Sequence, residues 1–598
     1  MNTMISQAEV KKIPYGITDY KLVRQGNYYF LDKTQYIIEI EHFGRYLFFI
    51  RPRRFGKSFF LSLLESYYDI YYKEQFQELF SGTTIYTHPT PEQGQYLVLS
   101  FNLSQIEPAK DKLETSFIAH TKSRALSFLL KYADLLLKNV DFTKKSIEES
   151  SSPADILSYI INFCKDSHRD LYVIVDEYDN FANTLLTTSG SSAYIEVTRG
   201  KGFLRSFFNV LKGGTTGTDA PIKRLFITGV SPITMDDVTS GFNIGEQISL
   251  LPQFNRMLGF TRKDVEEMLD YYATAGYLPQ NHNDLLELID FWYGNYLFSE
   301  DDYTTMYNTD MVLYFMKNYL PNKKIPKDLI DRNVRIDYGK LRHLIVVDKD
   351  KNKLPYTNGN FSKLKHILET GEILSTVVKG FPIEEVTDTT NFNSLLFYFG
   401  LLTIKGTHLN KLRLVIPNES VKRLYYDYIL EANQETGAFS MNMNTYIELI
   451  EAMAFRGEWE PLLTYIITLM GESMALRDFI TGEKSLQAFL NVYLGLSDLF
   501  IIHSEKELNK GYADLFIEPF LTRYPEVAHA YLIEIKYVSP DKKVSRAKLN
   551  QLKKEAETQL NQYHLDKKFQ KVLEKTTLTR LIMIFSGHKH LYLGKADQ

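Results

Sequence analysis

The sequence predicts an α/β protein. A parallel sheet with helices on both faces is expected at the N-terminal end, a second α/β domain at the C-terminal end, and a helical region between them. Three observations carry this. Residues 1–240 alternate short apolar runs with longer amphipathic stretches. From Thr481 the pattern becomes helix, strands, helix, strand. A chain of 598 residues also exceeds one core, because domains usually span roughly 100–200 residues. The boundaries expected are 1–240, 241–440, 441–480 and 481–598.

In the first region Tyr46–Ile50, Tyr96–Phe101, Leu171–Val175 and Leu225–Thr228 are short and apolar and end at polar or glycine residues, as strands buried on both faces do. Helical patterns such as Phe59–Tyr72 and Leu113–Leu137 fill the gaps. Thr261–Tyr272 reads as a helix capped by Thr261, with Asp264 three positions later. Phe392–Leu430 reads as helix, strand, turn, strand, helix, its hairpin pairing Leu401–Lys405 with Lys411–Ile416. A winged-helix-like lid has this order, and so do many small α+β modules. Residues 441–480 read as a helical connector, and Leu499–His503, Ala513–Ile517, Tyr531–Ile535 and Leu581–Phe585 as the strands of the last domain.

Composition narrows the classes of function. With 44% hydrophobic and 24% charged residues the chain is globular rather than disordered. A net charge of −4 excludes a uniformly basic nucleic-acid coat but not a local cleft. Residues 541–580 hold eleven Lys or Arg against five Asp or Glu, which suits either such a cleft or a solvated, charged helix pair. The single cysteine, Cys164, can build neither a disulfide framework nor a thiolate zinc site. The opening MNTMISQAEVKK lacks the apolar core of a signal peptide, and no run approaches the roughly 18 apolar residues of a membrane span. The cytoplasm is the compartment expected, with no membrane partner.

Strand Tyr46–Ile50 is followed by Arg51-Pro52-Arg53-Arg54-Phe55-Gly56-Lys57-Ser58 and then a helix. This is the Walker A pattern with Arg51 where the first glycine would stand. Backbone N–H groups around Gly56 would face phosphates at the helix N-terminus, where the dipole favours negative charge. Lys57 would reach the β- and γ-phosphates, Ser58 would meet Mg²⁺, and Arg53, Arg54 and Phe55 complete the mouth. A basic turn that happens to contain Gly-Lys-Ser is the plainer alternative. The second half of the pattern argues against it: Leu171–Val175 ends in Asp176-Glu177, a Walker B arrangement. Asp176 would hold Mg²⁺ through water, and Glu177 would orient or deprotonate the attacking water. The strand Leu225–Thr228 then supplies the further strand of the additional-strand class of P-loop NTPases. There Thr228, with Ser231 second, is the candidate γ-phosphate sensor. No arginine finger can be located.

The last domain carries Asp514 and then Glu534-Ile535-Lys536 at a strand end. Residues two apart in a strand share a face, so Glu534 and Lys536 do, and Asp514 can join them from a neighbouring strand. Two carboxylates can hold Mg²⁺, with Lys536 positioning the water that attacks a phosphodiester. Glu483, on the helix upstream, would complete the metal site. Gln559 and Tyr563, four apart on a later helix, are candidates to steady the nucleic-acid phosphate or the lysine. An ion-pair set at a sheet edge is the alternative.

With these residues in hand, the chain resembles the bacterial AAA-ATPase-like proteins of the Bacteroides type that carry a C-terminal PD-(D/E)xK nuclease domain. The resemblance rests on Ile13–Gly16, Phe30–Thr34, Arg51–Ser58, Asp176–Asp179, Thr228–Ser231 and Leu258–Thr261. It resumes at Arg477-Asp478, His503–Glu505, Gly511–Leu515 and Glu534–Lys536, and it is weakest near 300–440. An arginine at the first Walker position is usual in that family. Its Trp-Tyr-Asp-Gly-Tyr segment stands here as Trp292-Tyr293-Gly294-Asn295-Tyr296, which leaves the role of that region open. The resemblance implies ATP binding, hydrolysis and a restriction-endonuclease-like fold. The function expected is a P-loop ATPase, using ATP and Mg²⁺, coupled to a nuclease acting on nucleic acid, DNA before RNA. The alternative is an ATP-dependent switch whose nuclease-like domain only binds nucleic acid or a protein. The missing finger permits a homo-oligomer that supplies an arginine in trans.

Overall fold

A computed structural model describes residues 10–135, 140–200, 202–233, 244–335, 359–435, 441–472, 480–508, 511–541, 543–563, 572 and 574–596. The described residues form two compact units, one drawn from 1–344 with 374–420, the other from 345–373 with 421–598. Arg477-Asp478 lies outside the described residues.

In the first unit β1 (Tyr46–Ile50), β2 (Leu97–Asn102), β3 (Leu171–Asp176), β4 (Ile222–Gly229) and β5 (Glu246–Gln247) form one sheet in the order β2-β3-β4-β1-β5, and every pairing is parallel. The strand after the acidic turn thus slots between the two motif-bearing strands, as expected for the additional-strand class. Such strands are buried on both faces, and β3 is buried along its whole length. The polar ends of β1 and β3 lie at the same edge because the strands are parallel. The P-loop and the acidic turn therefore meet although 118 residues separate Ser58 from Asp176.

The residues between 244 and 335 pack into this unit rather than forming a separate body. Helix Arg262–Thr274 starts with the expected capping box, Thr261 and Asp264 each closing on the other's backbone. Two short strands, β6 (Phe260–Thr261) and β7 (Met306–Tyr307), pair antiparallel. The expected hairpin is β8 (Thr403–His408) with β9 (Lys411–Val415), preceded by helix Thr389–Tyr398. The segment Trp292–Tyr296 turns at Asn295 in the left-handed region, and Tyr296 stacks on Phe298 and meets Phe55 edge-on.

In the second unit β10 (Phe500–Leu508), β11 (Gly511–Pro519), β12 (His529–Val538), β13 (Thr577–Ser586) and β14 (Lys589–Lys595) form a mixed sheet in sequential order, parallel only between β12 and β13. Helix α1 (Glu483–Leu494) packs on one face and helix α2 (Arg546–Tyr563) on the other. The crossover through α2 is what lets β13 lie parallel to β12. The helices of 441–472 do not stand apart as a connector. Tyr446, Ile450, Leu462, Leu463 and Ile466 share a core with Leu515, Ile517 and Ile533, because their apolar stripe needs a sheet face to cover it. No helix among the described residues is long and apolar enough to cross a membrane.

Arg51, in the first glycine's place, is 1% exposed. Its guanidinium donates to the carbonyls of Ser249 and Phe254, the latter at 3.0 Å, and lies over the rings of Phe49 and Phe298. It holds the start of the P-loop against the segment after β5. Arg51→Ala would take the guanidinium donor from the Ser249 carbonyl, leave Phe254's carbonyl with the Met257 N–H alone, and open a void, and should destabilise this unit by about 3 kcal/mol. Arg51→Lys should recover little of it, since one ammonium cannot reproduce the fork. Chemical denaturation of the variants measures both.

Candidate active sites

The first site grows from the P-loop. Gly56 sits at φ 96° and Arg54 at φ 68°, so the turn into helix Lys57–Tyr68 uses the left-handed region twice, once at a glycine and once with a side chain. That strain is held from outside. Asn308 Nδ2 donates to the Arg53 carbonyl at 3.3 Å, Asp310 N–H to that of Arg54 at 3.1 Å, and Thr309 Oγ1 to that of Phe55 at 3.2 Å. Gly259 N–H donates to Phe55 as well, at 3.3 Å. The carbonyls of Arg53, Arg54 and Phe55 are thus all bonded to neighbouring segments.

Arg54 itself turns outward, pairing with Asp310 at 2.6 Å and lying 3.8 Å from Asp331. Lys57 is buried and donates to the Arg51 and Pro52 carbonyls, both at 3.0 Å. Ser58 Oγ donates to Asp176 Oδ2 at 2.6 Å. Asp176 Oδ1 is buried and, among the described residues, has no hydrogen-bond partner. Burial, and after it the neighbouring Glu177, pushes the Asp176 carboxyl up to about 6, against the lowering bond from Ser58.

The acidic turn is a junction in which each side chain has its own partner. Glu177 stands at φ 52°, a strained value for a residue with a Cβ, and its carboxylate accepts from Asn180 Nδ2 at 2.5 Å. Tyr178 donates its hydroxyl to the Ser231 carbonyl, and Asp179 accepts the N–H groups of Val230 and Ser231. A Cβ at Gly229 would run into Tyr178 and Asp179, so glycine is required there for close approach. Thr228, the expected sensor, spends its hydroxyl on the Phe49 carbonyl at 2.7 Å, a bond that ties β4 to β1.

Lys57, Ser58, Glu177 and Asn180 line a cavity of about 520 Å³ together with Arg53, Arg54, Phe55 and Gly56. Pro14, Ile17, Phe30, Phe260 and Leu313 give it apolar lining as well.

The second site lies on β11 and β12. Asp514 Oδ2 accepts the Ile535 N–H at 2.7 Å, and Oδ1 accepts from Gln487 Nε2 on α1 at 2.8 Å. Lys536 Nζ donates to Glu534 Oε1 at 2.7 Å, while Glu534 Oε2 is buried without a partner among the described residues. Burial, with Glu534 next in weight, raises the Asp514 carboxyl well above the ordinary carboxylate range; burial raises Glu534 too. Asp514, Glu534 and Lys536 thus converge as the strand arithmetic requires.

Glu483 does not complete the set as expected. Among the described residues no three His, Cys, Asp or Glu side chains gather as metal ligands. From the first turn of α1, Glu483 adds only its charge, which raises both acids. Two carboxylates with a dry oxygen still fit Mg²⁺, which keeps several waters and takes one or two protein acids. Gln559 lies along α2 near the buried Ala556 and Leu560. Tyr563 ends that helix, and its side chain lies outside the described residues.

Comparisons with known proteins match the two regions that carry these sites. The family model described as predicted AAA-ATPase matches residues 14–239, and that of the PD-(D/E)XK nuclease superfamily matches 481–593. A protein of Azotobacter chroococcum mcd 1, named as an uncharacterized protein in the vnfD 5′ region, is 27% identical over 310 residues. The match covers 51% of this chain and 52% of that protein, so the chain spans about half the length of this curated relative. Sheet order, the two constellations and the matched spans agree: the chain joins an AAA-ATPase-like domain to a C-terminal domain of the PD-(D/E)XK nuclease superfamily.

Proposed function

We propose that this chain is an ATP-hydrolysing, Mg²⁺-dependent nuclease in which nucleotide at the first site governs cleavage of nucleic acid, DNA before RNA, at the second. The observation that carries the reading is the buried carboxylate oxygen without a hydrogen-bond donor at each centre, Asp176 Oδ1 and Glu534 Oε2, with the charge of Lys57 near the first and of Lys536 near the second.

At the first site Lys57 would exchange its loop carbonyls for the β- and γ-phosphates, and Glu177 would take the proton of the attacking water. The apolar part of the cavity's lining favours a nucleoside triphosphate over bare polyphosphate, and its volume lies within the roughly 300–1,000 Å³ of small-molecule pockets. At the second, Asp514 and Glu534 would hold Mg²⁺, which neutralises charge developing on the phosphodiester. Lys536 would orient the attacking water. An arginine supplied in trans by a second copy fits this scheme. The Lys536–Glu534 ion pair favours a second reading, a module that binds nucleic acid without cutting it.

Lys57→Ala should weaken ATP binding, and Glu177→Gln should cut hydrolysis by about 10²-fold or more while ATP still binds. Unchanged turnover in Glu177→Gln would remove that residue from the mechanism. Lys536→Ala should abolish Mg²⁺-dependent cleavage in an assay across DNA and RNA substrates. Cleavage at the wild-type rate would unseat the assigned centre.

The raised carboxyls set a pH signature. Asp514 and Glu534 bind protons more tightly folded than unfolded, so they support the fold below the ordinary carboxylate range. That support is lost as pH rises through their raised values. Melting without metal should therefore fall toward neutral pH, and Mg²⁺ should restore it there but not in acid. A melting series with and without Mg²⁺ reads this directly.

A further inference from the structure

Asp514 is held by two donors from different elements, the Ile535 N–H of β12 and the Gln487 side-chain amide of α1. We infer that Gln487 is a positioning residue for the metal centre: its buried amide fixes the Asp514 carboxylate in the orientation that ligates a divalent cation. The inference rests on the nuclease reading above and goes beyond it, since no ligand or catalytic group of that reading includes Gln487.

Three features support it. Gln487 is 4% exposed, and a buried amide is costly unless its donors are used. Gln487 Nε2 donates to Asp514 Oδ1, so the NH₂ end of the amide faces the acid, the end an ionised carboxylate requires. Each Asp514 oxygen spends one lone pair on a fixed neutral donor and keeps another in the carboxylate plane. The pair of bonds clamps that plane to α1 and β12 without filling the place of a cation.

Neutrality is the second part of the argument. A lysine or arginine at 487 would have closed Asp514 into an ion pair. An amide orients the carboxylate and leaves its charge for a cation. Partners that orient metal ligands in this way are worth about 10- to 100-fold in metal affinity.

Gln487 also lies one helical turn beyond Glu483, on the same face of α1, so the helix delivers both groups toward the site. The two act differently. Glu483 adds charge near the acids, whereas Gln487 makes the contact.

The test uses the full chain and Mn²⁺ as probe, titrated calorimetrically without nucleotide. The binding event that Asp514→Asn removes is assigned to this centre. Gln487→Met keeps the side-chain volume and loses the donor, and should weaken that event about 10- to 100-fold. Gln487→Lys places an ammonium against Asp514 and should abolish it. Both variants are also melted in chelator, a readout that a purely structural glutamine would move and a positioning one would leave near wild type. A variant that melts with the wild type in chelator yet binds Mn²⁺ equally well overturns the inference and leaves the nuclease reading standing. If Asp514→Asn itself leaves Mn²⁺ binding intact, the metal reading and this inference fall together.

Discussion

Burying a carboxylate oxygen without a donor is costly, and the fold does it at both centres. Asp176 Oδ1 sits at the end of β3 with Ser58 holding only its companion oxygen. Glu534 Oε2 sits on β12 with Lys536 holding only its companion. In each case one oxygen takes a side-chain donor and the other is left buried without one. A cation meeting the dry oxygen would relieve the desolvation that raises these carboxyls. The surrounding cores make that arrangement stable, because β3 and β12 are anchored by strand neighbours that leave their acids little room to turn toward water.

The P-loop solves a related problem by other means. A first glycine would let the backbone bend freely, and this chain has Arg51 instead. The bend is shifted to Arg54 and Gly56, and its shape is imposed by contacts outside the loop. Arg51 ties the start of the loop to Ser249 and Phe254, and residues 308–310 bond the next three carbonyls. Phe55 wedges against Tyr296 and Phe298. The geometry of the phosphate end therefore depends on the residues between 249 and 310 as much as on the loop. This gives the divergent Trp292–Tyr296 segment a physical place, as part of the wall that holds Phe55.

What the sequence made legible follows from how local each signal is. Asp176, Asp514, Glu534 and Lys536 could be placed because each ends or lines an apolar strand, whose period sets which residues share a face, and Ser58 because a Gly-Lys-Ser turn opens the helix after one. Four of the N-terminal strands were readable for the same reason, whereas β5 is two residues long and gives no periodic signal. The edge strand β14 was missed because its side chains are largely exposed and carry lysines, which suit an unpaired edge and resemble a loop. Asn180, Asp310 and Gln487 could not be found. Nothing in a helix sequence distinguishes an amide facing solvent from one buried against a carboxylate delivered by another strand. Glu483 misled for the opposite reason: an acid one turn before a buried helix face looks like a ligand, and only side-chain placement separates a ligand from a nearby charge.

The two centres divide their labour between charge and neutral donors in a way that constrains mechanism. At the second site, Gln487 and a backbone N–H orient Asp514 without cancelling its charge, and Lys536 is spent on Glu534. If Lys536 is to orient water it must loosen from Glu534, and the agent able to draw Glu534 away is a cation that takes its oxygens. On the proposed reading the lysine would become available when the metal position is filled. At the first site Lys57 rests on two loop carbonyls, neutral partners that a phosphate could outcompete. In that scheme each lysine would be released only by the ligand of its own centre.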